Sequence, residues 1–172
     1  MTDAFRKLLN AAENVLITTH KSPDGDAIGS AVGCARFLIA YGKKATVLLP
    51  DPPAPNLMPF LEGVSYAFFT DFDSPIDHFD LMFCLDYNHA YRVGESMESL
   101  VLEMKGSKIM IDHHPHPTEF CDLTISRPEV CSTAQLFYEV LEECDLTSYL
   151  TKEASEALYL GIMTDTGSFR FP

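Results

Sequence analysis

Apolar residues recur along this chain in two rhythms. "DAFRKLLNAAE" puts Phe5, Leu8, Leu9 and Ala12 on one helical face. "NVLITT" (14–19) is a short β-branched run, as a buried strand requires. The alternation then continues. Helices are expected at 27–42, 95–104, 132–144 and 151–164, the first closed by Gly42. Strands are expected at 44–50, 80–86, 107–112 and 122–126, with a weaker one in "SYAFFT". "DPPAPNLMP" is read as loop with at most a short turn. The strands are continuous apolar runs, not alternating ones. That pattern predicts an α/β fold with a mainly parallel sheet and helices on both faces. The 172 residues suffice for one domain, and neither a repeat nor a low-complexity segment is present.

Several of these strands end in chemistry. The first runs into His20, followed by Asp24 and Asp26 in "HKSPDGDAIGS". "LMFCL" ends at Asp86, and "KIMI" ends at Asp112, His113 and His114. In an open parallel sheet, ligands bind beyond the carboxyl ends of the strands. Neighbouring strands would therefore bring these groups together. Taken singly, each has an ordinary role. Pro23-Asp24-Gly25 makes a turn, Asp26 an N-cap, His20 a loop histidine and Asp86 a plain strand-end acid. Jointly they suggest a pair of divalent cations, because converging carboxylates repel one another unless something compensates. Imidazole and carboxylate without thiolate suit Mn²⁺, Mg²⁺ or a similar ion. Two cations roughly 3.5–4 Å apart need a shared ligand, and Asp86 is the natural bridge. Pro23 excludes a helix through the motif, and Gly25 is read as the residue that lets the backbone turn. Asp165, in "GIMTDTGSF", ends the last helix, where a carboxylate opposes the helix dipole and a cation would relieve it; taken alone, its ordinary role is a solvated acid.

Composition narrows the partners. A net charge of −13 argues against broad binding of long duplex nucleic acid, but not against a small anionic substrate at a cation-loaded site. No apolar run approaches the roughly 18 residues of a membrane span. The first residues lack the layout of a signal peptide, and a cytoplasmic location is expected. The five cysteines form no C-x-x-C pair and are read as reduced and mostly buried. Gly29 and Gly33 are read as allowing close packing, and Phe37, Phe68, Phe69 and Phe137 as core. Ser132 and Thr133 stand where a helix begins, so capping is the default and anion binding the alternative. Arg92, Arg127 and Arg170 are read as ordinary surface residues, with contact to a phosphate as the alternative.

The four motifs together resemble the N-terminal domain of the DHH phosphoesterase superfamily. "THKSPDGDAIGS", "CLDYN", "IDHHPH" and "LGIMTDTGSF" match in order and spacing over essentially the whole chain. "STAQ" followed by "LYLGIMTDTGSFRF" is similar to the nanoRNase and 3′-phosphoadenosine 5′-phosphate phosphatase branch, also labelled exopolyphosphatase-related. The resemblance implies a Rossmann-like three-layer sandwich and two Mn²⁺ ions, with Mg²⁺ or Co²⁺ as substitutes. It implies that His20 and Asp24 hold one ion, that Asp26, His113 and Asp165 hold the other, and that Asp86 bridges them. His114 would contact the scissile phosphate, with Ser132 as a further substrate contact, and Asp112 would orient both histidines. Residues 1–172 would form the catalytic domain, and a smaller C-terminal DHHA1 substrate domain is expected beyond them. The implied activity is hydrolysis of short oligonucleotides or 3′-phosphoadenosine 5′-phosphate by a metal-activated water. A pyrophosphatase or short-chain exopolyphosphatase is the alternative, and a nucleotide sensor without turnover is the reading of another class. Assembly stays open, a homodimer included.

Overall fold

The computed structural model describes residues 1–171. Six parallel strands, β1 (Asn14–Thr18), β2 (Lys44–Leu49), β3 (Ser65–Phe68), β4 (Leu81–Leu85), β5 (Ser107–Asp112) and β6 (Leu123–Ser126), form one sheet in the order β3-β2-β1-β4-β5-β6. Five helices accompany them: α1 (Thr2–Ala11), α2 (Gly25–Ala40), α3 (Glu95–Glu103), α4 (Thr133–Glu143) and α5 (Lys152–Asp165).

The pleat divides the apolar runs between two cores. In β4, Leu81, Phe83 and Leu85 face one side, and Met82 and Cys84 the other. In β5, Ile109 and Ile111 oppose Met110 in the same way. The larger core lies under α1, α2, α4 and α5, the smaller under α3. A strand buried on both faces needs no polar alternation, which is why these segments read as unbroken apolar runs. The result is a three-layer α/β sandwich.

Chain direction across the sheet reverses between β1 and β4. From β1 the chain proceeds outward to β2 and β3, and from β4 it proceeds the other way to β5 and β6. That reversal opens a crevice beyond the strand ends, the position where doubly wound sheets bind ligands. His20 lies just beyond β1, and Asp86 directly follows β4.

Helices α2 and α5 approach unusually closely, through a stripe of glycines. A Cβ on Gly29 would lie 2.5 Å from the Ala157 carbonyl oxygen and 2.7 Å from the Gly161 nitrogen. One on Gly33 would strike the Leu158 side chain, and one on Gly25 would strike Thr164. The expected close packing at Gly29 and Gly33 is present, and it extends to Gly25. This corrects the reading of Gly25 as a turn residue. It lies inside α2, which starts two residues earlier than expected, and its lack of a side chain serves helix contact.

Two smaller corrections concern the edge of the sheet. β3 is short, and the chain after Phe68 turns into a 3-10 segment, Phe69–Asp71. Phe37 and Phe137 are fully buried, but Phe68 and Phe69 are only half-buried. The cysteines are free; Cys34, Cys84 and Cys144 are buried, and Cys121 and Cys131 partly so. No described helix is long and apolar enough to cross a membrane.

Candidate metal centre

Each strand end delivers its group by a local device. Beyond β1, Ser22 takes a left-handed conformation (φ 55°) and its N–H donates to Asp51, which turns the chain back toward α2. Asp24 is the N-cap of α2; its Oδ1 accepts from the N–H groups of Asp26 and Ala27, both at 3.0 Å. The N-cap is therefore Asp24, not Asp26. Asp86 also has a left-handed backbone (φ 65°), which few residues besides glycine, asparagine and aspartate adopt readily. It redirects the chain at the end of β4 and leaves the carboxylate 2 % exposed in the crevice.

Asp26 fills the N-terminus of α4. Its two oxygens accept from the N–H groups of Thr133 (2.6 Å) and Ala134 (2.9 Å). The anion expected as an option at this helix end is thus the protein's own carboxylate, well placed against the helix dipole. Gly161 of α5 makes room for it, since a Cβ there would lie 2.6 Å from Asp26 Oδ1. Ser132 is fully buried and its hydroxyl caps α4 by accepting from Gln135, so its placement does not support the expected substrate contact. Thr133 had a capping role as its default reading; instead its hydroxyl donates to Asp86 Oδ1 at 2.9 Å. No sequence signal marks that bond between the start of α4 and the end of β4.

The groups converge as three clusters, each able to hold an ion: His20, Asp24 and Asp86; Asp26, His113 and Asp165; and Asp86, His113 and His114. His20 Nε2 lies 3.4 Å from Asp86 Oδ2 and 3.7 Å from Asp24 Oδ1. His113 Nε2 lies 3.3 Å from Asp165 Oδ2 and 3.7 Å from Asp86 Oδ1. The two oxygens of Asp86 therefore face opposite histidines. Most of these separations are long for hydrogen bonds, but ligand atoms about 2.1 Å from a shared cation stand about 3–3.5 Å apart. The tautomer of His20 fits as well. Its Nδ1 lies 2.8 Å from the Lys21 carbonyl, so Nδ1 carries a proton, and once the ring is neutral the Nε2 lone pair faces the carboxylates.

The charges are strained without a cation. Burial works against a charged His20, but Asp24 and Asp86 outweigh it and raise its pKa to about 10. Burial likewise opposes ionisation of Asp24, and His20 with the helix N–H groups overcomes it, lowering the pKa to about 2. Burial, then repulsion by Asp86, pushes the Asp26 carboxyl well above the usual range despite its two N–H donors. Burial also raises Asp165, against the pull of His113 and with repulsion from Asp86.

Asp112 corrects one expectation. It is fully buried and accepts from the backbone N–H (3.0 Å) and ring Nδ1 (2.8 Å) of His114. That bond, outweighing burial, raises the pKa of His114. No hydrogen bond joins Asp112 to His113 among the described residues, so Asp112 orients one histidine and not both.

A doubly wound sheet with a carboxylate–imidazole cluster at its switch point defines an α/β protein equipped to hold cations. The chain belongs to the DHH family: that family's N-terminal domain matches residues 14–162. It is 32% identical over 169 residues to the bifunctional oligoribonuclease and PAP phosphatase NrnA of Thermus thermophilus, covering 96% of this chain and 47% of that one. Its fold superposes on an exopolyphosphatase-related protein from Bacteroides fragilis with a TM-score of 0.91 at 36% identity, covering 99% of this chain and 51% of the other. RecJ of Thermus thermophilus, solved with Mn²⁺, shares the fold at a TM-score of 0.55 and 14% identity, over 96% of this chain and 23% of that one. The chain thus spans about half the length of the first two relatives.

Proposed function

We propose that this chain is the catalytic domain of a metal-dependent phosphoesterase that hydrolyses very short oligonucleotides and 3′-phosphoadenosine 5′-phosphate. The observation that carries the reading is Asp86, whose two oxygens face two separate groups of ligands. His20 and Asp24 would hold one cation with Asp86, and Asp26, His113 and Asp165 the other. Bound there, the cations would lower the pKa of a water and neutralise charge on the phosphoryl oxygens. The chain's own residues do the rest. Asp112 holds the His114 ring so that Nε2 is left for the phosphate, and the two-point grip of α4 on Asp26 fixes that carboxylate before any ion arrives. The donor chemistry, with no thiolate, favours Mn²⁺ and admits Mg²⁺ or Co²⁺. The similarity to an oligoribonuclease and PAP phosphatase supports the substrate class. The net charge of −13 supports a small substrate over a long duplex.

A second reading has one observation in its favour, the likeness to a protein described as exopolyphosphatase-related. It assigns pyrophosphate or short polyphosphate as substrate. One assay separates the two: the protein is incubated with Mn²⁺ and, in parallel, a dinucleotide, 3′-phosphoadenosine 5′-phosphate, pyrophosphate and tripolyphosphate. Release of mononucleotide, lost in Asp86→Ala, supports the first reading. Turnover of the inorganic substrates alone supports the second. Nucleotide binding with no turnover of any of the four makes the domain a sensor.

A further inference from the structure

One cation beside the centre has no assigned partner. Arg92 lies in a 3-10 turn, Ala90–Val93, six residues beyond Asp86. Its backbone is fixed at both ends. The N–H donates to the His89 carbonyl at 3.0 Å, and the carbonyl accepts from Lys21 N–H at 2.7 Å. Lys21 adjoins His20, so the Arg92 main chain is tied to the loop that carries a candidate ligand.

The side chain contrasts with those of Arg6, Arg36 and Arg127. Arg6 pairs with Asp145, Arg36 bonds three main-chain carbonyls, and Arg127 pairs with Glu139 and Glu143. Arg92 is half-buried, its Nε is buried without a hydrogen-bond partner, and it makes no ion pair among the described residues. In a chain with 25 acidic and 12 basic residues, an unpaired guanidinium beside a carboxylate cluster is an unusual arrangement. Its main chain holds it at the edge of the centre, bonded to the residue after His20. A guanidinium cannot ligate a metal, and the nearby carboxylates already face histidines. What suits its planar fork is an oxyanion with two acceptor oxygens. The burial of Nε without a partner is relieved when such an anion arrives.

We infer that Arg92 binds the non-bridging oxygens of the substrate phosphate, from beside the His20 loop. This takes up the phosphate contact left open for Arg92 as the alternative to an ordinary surface role. It rests on the proposed phosphoesterase reading, yet it makes a separate claim about anion binding.

The test compares wild type with Arg92→Ala and Arg92→Lys, all loaded with Mn²⁺. Binding of 5′-AMP and of inorganic phosphate is measured by calorimetry, alongside Mn²⁺ affinity and kcat/KM on a dinucleotide. Arg92→Ala should weaken 5′-AMP and phosphate binding and lower kcat/KM by roughly 10- to 100-fold each, with Mn²⁺ affinity unchanged. Arg92→Lys should recover part of the loss, since it restores charge without the fork. Wild-type affinity for 5′-AMP in Arg92→Ala overturns the inference, whatever the enzyme hydrolyses. So does a parallel loss of Mn²⁺ affinity, which would make the side chain a prop for the His20 loop. Wild type that binds 5′-AMP through Arg92 but hydrolyses no ester upholds Arg92 and sinks the phosphoesterase reading instead.

Discussion

Thr133 donates its hydroxyl to Asp86 at 2.9 Å while its N–H donates to Asp26 at 2.6 Å. One residue at the start of α4 therefore sets two carboxylates that the sequence separates by 60 positions. The side-chain bond can be removed without the backbone bond. Thr133→Val keeps shape and N–H but leaves Asp86 free to rotate in a fully buried setting. Partners of this kind, which hold a ligand without touching the ion, typically contribute 10–100-fold in affinity. Mn²⁺ affinity measured by calorimetry should fall by roughly that factor in Thr133→Val and hold in Thr133→Ser. Unchanged affinity in the valine variant would show that Asp86 needs no such support.

The glycine stripe gives a prediction about stability. At Gly29 a Cβ would meet backbone atoms, the Ala157 carbonyl oxygen at 2.5 Å and the Gly161 nitrogen at 2.7 Å, so no side chain can swing aside. Gly29→Ala must part α2 from α5, and overpacking of this type costs about 1–3 kcal/mol. The gain in helix propensity from alanine, about 1 kcal/mol, offsets only part of it. Urea denaturation should show a net loss. The same separation moves Asp26, at the start of α2, away from Asp165, at the end of α5, so Mn²⁺ affinity should drop with stability. A variant as stable as wild type would contradict the packing argument.

Much of the fold was legible because burial on both faces leaves a clear trace, an unbroken apolar run such as "LMFCL". The convergence of His20, Asp86 and Asp112–His114 was legible for a related reason, since parallel strands deliver their carboxyl ends to one edge. What failed was whatever depends on contact between distant segments. Gly25 looked like a turn residue because Pro23 and Asp24 precede it, and only the approach of Thr164 shows its use. Asp26 looked like a cap for its own helix, yet it fills the N-terminus of α4, more than a hundred residues later. Phe69 looked like core because aromatics usually are, but the weak strand before it sits at the sheet edge. It lines an open cavity of about 830 Å³ with Lys21, Tyr91 and Gly94.

Protons should leave as cations bind. In the metal-free protein His20 has a pKa of about 10, so it is charged at pH 7, and Nε2 must lose that proton to become a ligand. Mn²⁺ affinity should therefore rise with pH through the neutral range toward 10. Calorimetry at pH 7 in buffers of differing ionisation enthalpy should register net proton release. Stability follows the opposite course in the chelated protein. The His20 contribution is fully present below 6.5, the ordinary value, and is lost as pH rises through about 10. The Asp24 contribution is present above 3.8 and is lost as pH falls through about 2. Thermal melts in EDTA should show Tm declining from pH 6.5 to 10. Mn²⁺ binding that releases no proton at pH 7 would mean that His20 is neutral, or is not a ligand.

Asp112 and His113 are neighbours with separable roles. Asp112 is fully buried, and its two oxygens are taken up by the ring and the backbone N–H of His114. His113 instead faces Asp165 and Asp86. Asp112→Asn keeps the shape but removes the charge, and it places an amide where one of two N–H donors must find an acceptor. The His114 ring then loses its fixed tautomer and part of the cause of its raised pKa. The proposed phosphate contact should suffer while the cation ligands stay in place. A fall in kcat of roughly 10- to 100-fold is expected, with Mn²⁺ affinity close to wild type. The alkaline limb of the pH–rate profile should move to lower pH, in the direction of a less basic His114. His113→Ala should do the reverse and weaken Mn²⁺ binding first. Loss of Mn²⁺ affinity in Asp112→Asn would mean that the acid holds both histidines after all, through a contact that its hydrogen bonds do not record.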